Sequence, residues 1–199
     1  MEKKFLTSKN VATLAILSAL IVVIQLISGF LRIGPVNISL VLIPIVVGSF
    51  IIGPLGGVVL GFVFGLICFF MGFIGMDALT YLLINEHPLM TFLTCVVKGM
   101  VAGGVAGLVY KLFSKKNEYA WSVVASLCAP ILNTGLFIVG ALIMSDAINL
   151  FISSNSLGVD MMYFLIIMCA GVNFLVEFAL NIIFAPAIYR VIKYVNNKR

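Results

Sequence analysis

Two ionisable side chains lie deep inside apolar stretches of the sequence, where a charge is unfavourable unless it has a partner or a function. Lys98 stands roughly 13 Å from the nearer end of its stretch if that stretch is a helix. Glu177 lies near the middle of the last stretch, with Asn173 and Asn181 one turn away on the same helical face. A lysine at this depth can anchor a carboxylate, and Glu177 can accept from hydroxyl groups or take up a proton. Three structural alternatives remain open: an ion pair between Lys98 and Glu177, snorkelling of the Lys98 side chain along the bundle, and hydrogen bonds from other helices to Glu177.

Other polar side chains fall at a similar depth. Asn133 and Thr134 lie in the middle of the fifth apolar stretch, and Gln25 lies towards the end of the first. Each alone is commonly an interhelical hydrogen bond, but their shared depth favours a site for a polar ligand. Arg32 and Asn37 follow in the first polar turn, where the arginine is either solvated or a second contact for an anion. The predicted ligand-binding residues are therefore Gln25, Arg32, Asn37, Lys98, Asn133, Thr134, Asn173 and Glu177, with Tyr81, Asn85 and His87 as secondary lid candidates.

The sequence lacks the common signatures of enzymes. It contains no H-E-x-x-H, no G-x-S-x-G and no phosphate-binding loop, so we expect it neither to hydrolyse ATP nor to hold a cofactor or metal ion. Its four cysteines lie inside apolar stretches without C-x-x-C spacing, which is typical of buried thiols. An intramembrane enzyme with Glu177 as general base is one alternative, although no second carboxylate or histidine stands at that depth in the sequence. A stand-alone proton-coupled carrier and a small channel or scaffold are others.

Composition places the chain in a membrane. Apolar residues make up 63% of its 199 residues and charged residues only 10%, which excludes a soluble domain. A helix needs about 20 apolar residues to cross a bilayer, so this composition supplies about six crossings. The stretches are continuous rather than alternating, which indicates helices and not a barrel. We predict an all-α integral membrane protein, a single domain over 1–199 with six transmembrane helices at approximately 10–30, 38–52, 57–73, 89–113, 119–144 and 161–192.

The distribution of charge orients these helices. The net charge is +5, and ten of the twelve lysines and arginines fall on one side of a six-helix arrangement, at the ends of apolar stretches. By the positive-inside rule that side is cytoplasmic, so we predict that both termini are cytoplasmic. This clustering is not the stripe that a nucleic-acid-binding protein carries. We therefore expect a multi-pass protein of the cell membrane, with lipid around it and no nucleic acid as partner.

Small residues form faces that permit close helix packing. Glycines recur every four residues in two apolar stretches, and such ladders let helix backbones approach each other. The ladders consist of Gly57, Gly61 and Gly65 in the third stretch and Gly99, Gly103 and Gly107 in the fourth. They either pack inside the bundle or form a sliding surface for a partner. Ala15 and Ala19 give another small face, towards the cytoplasmic half of the first helix.

Together these features resemble the substrate-binding S components of energy-coupling factor (ECF) vitamin transporters. The resemblance covers nearly the whole chain. It rests on Ala15-x-x-x-Ala19, the stretch from Ile38 to Gly48 with the following Gly53-Pro54-Leu55-Gly56-Gly57, Lys98-Gly99 with Gly103, Asn133-Thr134, and Asn173 with Glu177. Within the family the pattern is most similar to the pantothenate-type members, whose fifth helix carries Thr-Asn-Thr where this chain has Leu132-Asn133-Thr134.

The resemblance implies a function and a set of partners. An S component captures its vitamin from outside, docks on a transmembrane coupling protein carried by two cytoplasmic ATPases, and topples in the membrane to release the vitamin inward. For this chain the resemblance implies pantothenate as the substrate, with its carboxylate at Lys98 and Arg32. Its amide and hydroxyl groups would meet the remaining polar side chains, and Ala15 and Ala19 would meet the coupling protein.

Overall fold

The computed structural model describes residues 7–30, 32–33, 36–37 and 40–197 of the chain. The helices in these ranges are α1 (Ser8–Ser28), α2 (Leu42–Ile52), α3 (Pro54–Phe73), α4 (Ala78–Glu86), α5 (Pro88–Phe113), α6 (Glu118–Ile143), α7 (Ser145–Ser154), α8 (Met161–Tyr163) and α9 (Val172–Asn197). A π-helix, Phe164–Gly171, joins α8 to α9. A two-residue antiparallel pair, β1 (Arg32–Ile33) with β2 (Val36–Asn37), follows α1. Apart from this pair, the regular structure is helical, as predicted.

Five helical segments in the described part of the chain are long and apolar enough to cross a membrane, by length and composition. They are α1, α3, α5, α6 and the continuous segment Met161–Tyr194. The predicted second span differs from them. Its helix, α2, has 11 residues, which is about 16 Å of helix against a bilayer core of about 30 Å.

The break between α2 and α3 follows from the Gly53-Pro54 sequence. Gly53 has a φ of 108°, a backbone conformation that favours glycine. Pro54 then occupies the first position of α3, where its missing N–H would have no partner in the helix. The chain therefore turns sharply and starts a new helix within two residues.

The two glycine ladders pack against each other, which settles the choice between internal packing and a partner surface. A methyl group added at Gly61 would overlap the backbone carbonyl of Gly99, and one at Gly57 would overlap that of Gly103. One at Gly107 would lie 2.9 Å from the Cα atom of Pro54. Helices α3 and α5 are therefore antiparallel, with their backbones in direct contact.

The bundle has two chemically different ends. The turn between α5 and α6 carries Lys115 and Lys116, and a ring contact between Tyr119 and Tyr189 brings the C-terminal half of α9 to the same end. We call this the basic end. The other end carries α4 and α7, and we call it the capped end. The polar stretches that the sequence indicates only as connections thus contain helices.

An apolar cluster holds the cap together. Leu79 and Leu83 of α4 pack in one buried cluster with Ile148 and Phe151 of α7 and with Phe164 of the π-helix. Asp77 caps α4, since its side chain accepts a hydrogen bond of 2.7 Å from the N–H of Thr80. The cap is thus fixed to the last membrane segment through side-chain packing.

Candidate functional site

A cavity lies under α4, in the half of the bundle nearer the capped end. Its volume is about 80 Å³, which is room for several water molecules. Side chains from α1, α3, α4, α5, α6, the π-helix and α9 line it. The polar ones are Gln25, Cys68, Asp77, Thr80, Cys95, Lys98, Asn133, Thr134, Cys169, Asn173 and Glu177, and the apolar ones include Phe64, Met71, Leu79 and Phe137.

Lys98 is the cation of this cavity, and it does not form the ion pair that the sequence left open. Among the described residues, no carboxylate oxygen lies within 4.0 Å of its ammonium group. Its Nζ atom instead lies 5.4 Å from the ring centroid of Phe137 and 5.8 Å from that of Phe64. These distances are within the range of cation–π attraction.

Glu177 lines the same cavity and is almost completely buried, with 1% exposure. The Nδ2 atom of Asn173 donates a hydrogen bond of 3.3 Å to its Oε1 atom. Asn181 donates one of 2.8 Å to its backbone carbonyl oxygen, which fixes that side chain one turn further along α9. The predicted polar face of the last helix therefore exists, but only Asn173 and Glu177 of its three residues line the cavity.

Three buried polar atoms of the cavity wall have no hydrogen-bond partner among the residues that the structure describes. They are Oδ1 of Asn133, Oγ1 of Thr134 and Oε2 of Glu177. A buried polar atom without a partner is unfavourable by about 1–3 kcal/mol, so proteins rarely keep several of them together. Their convergence on one cavity indicates a place for a polar molecule.

The structure brings six of the eight predicted ligand-binding residues to this cavity: Gln25, Lys98, Asn133, Thr134, Asn173 and Glu177. The Nε2 atom of Gln25 also contacts the Sγ atom of Cys68 at 3.7 Å. Arg32 and Asn37 face each other in the backbone pairing of β1 with β2, and their side chains lie outside the described residues.

The secondary lid candidates lie outside the cavity wall. Tyr81 and Asn85 are exposed on α4, where Asn85 donates a hydrogen bond of 3.0 Å to the Tyr81 carbonyl oxygen. His87 stands between α4 and α5. Helix α4 itself contributes Leu79 and Thr80 to the wall.

Several wall residues were missed by sequence reasoning. Asp77 counts as a loop residue in the sequence, yet it reaches the cavity because the cap folds back over the bundle. Phe64 and Phe137 look like ordinary membrane-facing aromatics, and no spacing in the sequence distinguishes them. Of the four cysteines predicted to be buried, Cys95 and Cys169 are buried, whereas Cys68 and Cys128 are half-buried. Cys68, Cys95 and Cys169 line the cavity.

A hydrogen-bonded pair of side chains, His87 and Asp146, connects the start of α5 to α7 at the capped end. The Nε2 atom of His87 lies 2.9 Å and 3.0 Å from the two carboxylate oxygens of Asp146. The hydrogen bond from His87, together with one from the backbone N–H of Ala147, holds the pKa of the Asp146 carboxyl group below its ordinary value. The pair is partly exposed, so we expect it to contribute little to the stability of the fold.

The geometry does not indicate a metal centre. Within the described ranges, no group of three or more His, Cys, Asp or Glu side chains is placed to hold a metal ion. Among the described residues of the wall, the charged groups are one ammonium and two carboxylates, set among amides, thiols and aromatic rings. This set can bind a small polar molecule with both donors and acceptors.

The apolar helices indicate a multi-pass protein of the cell membrane, and the protein has an internal cavity lined by polar side chains. Residues 9–189 match the family model described as the substrate-specific component of the ECF transporter, and the chain therefore belongs to that family. No curated protein matches the chain. Members of the family are substrate-binding subunits of transporters rather than enzymes. Membership implies a small-molecule substrate and an ECF coupling and ATPase module.

Proposed function

We propose that this chain captures a small vitamin from outside the cell and delivers it inward together with a transmembrane coupling protein and two cytoplasmic ATPases. One observation carries the proposal: six polar side chains from four helices face a single cavity, and three of their buried polar atoms have no partner in the described part of the chain. A ligand that offers donors and acceptors would satisfy these atoms. The cavity opens under α4, at the end of the bundle opposite to the basic clusters.

Pantothenate is the vitamin that we propose, because its groups match those of the wall. It has one carboxylate, one amide and two hydroxyls. Lys98 would take the carboxylate, and Glu177 would accept from a hydroxyl group. Asn133, Thr134 and the other amide side chains of the wall offer both donors and acceptors to the rest of the molecule. Arg32 and Asn37, in the first turn, are also proposed to contact the vitamin.

Equilibrium binding tests this assignment directly. Radiolabelled pantothenate should bind saturably to the purified protein in lipid nanodiscs, at one molecule per chain. An excess of unlabelled pantothenate should displace it. Absence of saturable binding would remove pantothenate from the proposal. Uptake by cells that express the chain without any ATPase partner would remove the transporter-subunit assignment and favour a stand-alone carrier.

We further propose six crossings of the membrane, with α2 as a short second one and both termini in the cytoplasm. The difference between the two ends supports this orientation. The basic end carries Lys111, Lys115, Lys116, Arg190 and Lys193, whereas Glu86, Asp146 and Asp160 lie at the other end. The positive-inside rule places the basic end in the cytoplasm. The cavity then opens outward, as capture of an external vitamin requires.

The coupling protein is proposed to dock on α1 through Ala15 and Ala19. Helix α1 is the least buried of the five long segments, since only 17% of its most apolar 18-residue stretch is buried inside the protein. Both alanines are exposed on it. Small side chains on an exposed apolar face let a partner helix approach closely.

A double substitution tests this docking surface. We expect Ala15→Trp with Ala19→Trp to abolish co-purification with the coupling protein and ATPases, because two indole rings would hold the partner helix away. Binding of pantothenate to the isolated protein should stay within about two-fold of wild type, since neither alanine lines the cavity. Pull-down and equilibrium binding on the same preparations measure both.

The matched control is Leu20→Trp, which adds an exposed indole to the same helix but about 100° or more around it from Ala15 and Ala19. This variant should co-purify with the partners as wild type does. If the control lost co-purification as completely as the double variant, any bulky residue on α1 would prevent docking. The assignment of the docking surface to Ala15 and Ala19 would then fail.

A further inference from the structure

Among the described residues of the cavity wall, Lys98 is the only cation. Its ammonium group contacts two aromatic rings and forms no ion pair with a described carboxylate. The ammonium of Lys98 lies 5.4 Å from the ring centroid of Phe137 and 5.8 Å from that of Phe64. Glu177 lines the same cavity, yet neither of its carboxylate oxygens lies within 4.0 Å of this ammonium. A buried lysine and a buried carboxylate that line one cavity without forming an ion pair need a physical cause.

The contact between α3 and α5 places the first ring. Phe64 lies between Gly61 and Gly65 on the ladder, and Gly99 on the facing helix directly follows Lys98. A methyl group at Gly99 would stand 3.1 Å from the Cδ1 atom of Phe64, so the ring is packed against this glycine. Phe64 is buried, with 1% exposure. The glycine ladder thus fixes an aromatic ring next to Lys98.

The second ring comes from α6. Phe137 is three residues after Thr134, so both side chains project from the same face of α6 towards the cavity. Lys98 therefore lies between rings from two different helices. Its position depends on how α3, α5 and α6 pack, and not on a single neighbour.

Aromatic rings and carboxylates affect a lysine differently. The negative face of a ring attracts an ammonium group but does not neutralise its charge or accept its hydrogen bonds as a carboxylate would. Between two rings, the ammonium keeps its charge and its donors for an incoming anion. A lysine paired with Glu177 would have to break that pair before it could bind one.

We propose that Phe64 and Phe137 are positioning residues that hold the Lys98 ammonium apart from Glu177, and that they thereby make the cavity select carboxylates over neutral molecules of the same shape. The inference rests on the proposed function only in that the ligand carries a carboxylate group, and it does not require that ligand to be pantothenate.

The test compares binding of acid and neutral ligand pairs to wild type, Phe137→Leu and Phe137→Tyr in lipid nanodiscs. One pair is pantothenate and pantothenol, in which an alcohol replaces the carboxylate. The other is propionate and propionamide, followed by ligand-observed NMR. The measured quantity is the ratio of the two dissociation constants in each pair. A general loss of packing changes both constants together and leaves this ratio unchanged.

We expect wild type to prefer the acid of a pair, and Phe137→Leu to reduce this preference about five-fold or more with little change for the neutral ligand. Phe137→Tyr retains an aromatic face and should retain the preference. An unchanged ratio in Phe137→Leu would overturn the proposal, as would wild type with no preference for propionate over propionamide. A propionate preference that depends on Phe137, without pantothenate binding, would support the proposal and refute only the vitamin assignment.

Discussion

Replacing Lys98 by methionine should raise the dissociation constant for pantothenate by about 100-fold, which corresponds to about 2.7 kcal/mol. Methionine fills a similar space but leaves the ligand carboxylate in a largely enclosed cavity without a cation, and loss of one partner from such a pair is typically unfavourable by about 2–5 kcal/mol. Binding of radiolabelled pantothenate to protein in nanodiscs measures the change. The affinity for the neutral analogue pantothenol should fall much less, because pantothenol makes no ionic contact with Lys98.

Lys111→Met is the matched control for this prediction. It removes the same charge from the same helix, but at the basic end and outside the cavity. We expect its affinity for pantothenate to equal that of wild type. If Lys98→Met bound pantothenate as tightly as Lys111→Met does, Lys98 would not be the anchor of the carboxylate.

The second large effect is expected at the contact between α3 and α5. Gly61→Ala should destabilise the protein by about 1–3 kcal/mol or more, because the added methyl group overlaps the carbonyl of Gly99 and the two backbones must separate. Since Phe64 and Lys98 stand beside this contact, ligand affinity should fall as well. Thermal unfolding in detergent and gel filtration of the purified variant measure the loss of stability.

Gly135→Ala provides the comparison, because Gly135 is an exposed glycine of α6 with no other atoms within 4 Å of an added methyl group. Alanine is favoured over glycine inside a helix by about 1 kcal/mol, so this variant should be as stable as wild type or slightly more so. Equal stability of Gly61→Ala and Gly135→Ala would contradict the close contact of the two helices.

The depth of polar residues in apolar stretches predicted much of the candidate site. Exposure of Lys98, Asn133 or Glu177 to lipid is unfavourable, so each was expected to face the interior of the bundle. Helical spacing then predicted which neighbouring residues lie on the same helical face. The four-residue glycine spacing likewise predicted close packing. The sequence could not tell which surface each ladder meets, because that depends on the order in which the helices assemble.

The cap and the two rings could not be predicted in the same way. Helices α4 and α7 are short, and their apolar faces are defined only by the cluster that they share with the last membrane segment. The π-helix Phe164–Gly171 has no distinct sequence pattern within a uniformly apolar stretch. Phe64 and Phe137 are two of 16 phenylalanines, and only packing selects them as the neighbours of Lys98.

The most direct test of ligand capture in this cavity needs no prior choice of ligand. Wild type and Lys98→Met would be purified in parallel from the same host, and small molecules released by denaturation would be identified by mass spectrometry. We predict one small carboxylic acid, at up to one molecule per chain, with wild type and its loss from the variant. Recovery of the same molecules in equal amount from both proteins would contradict a binding site built around Lys98.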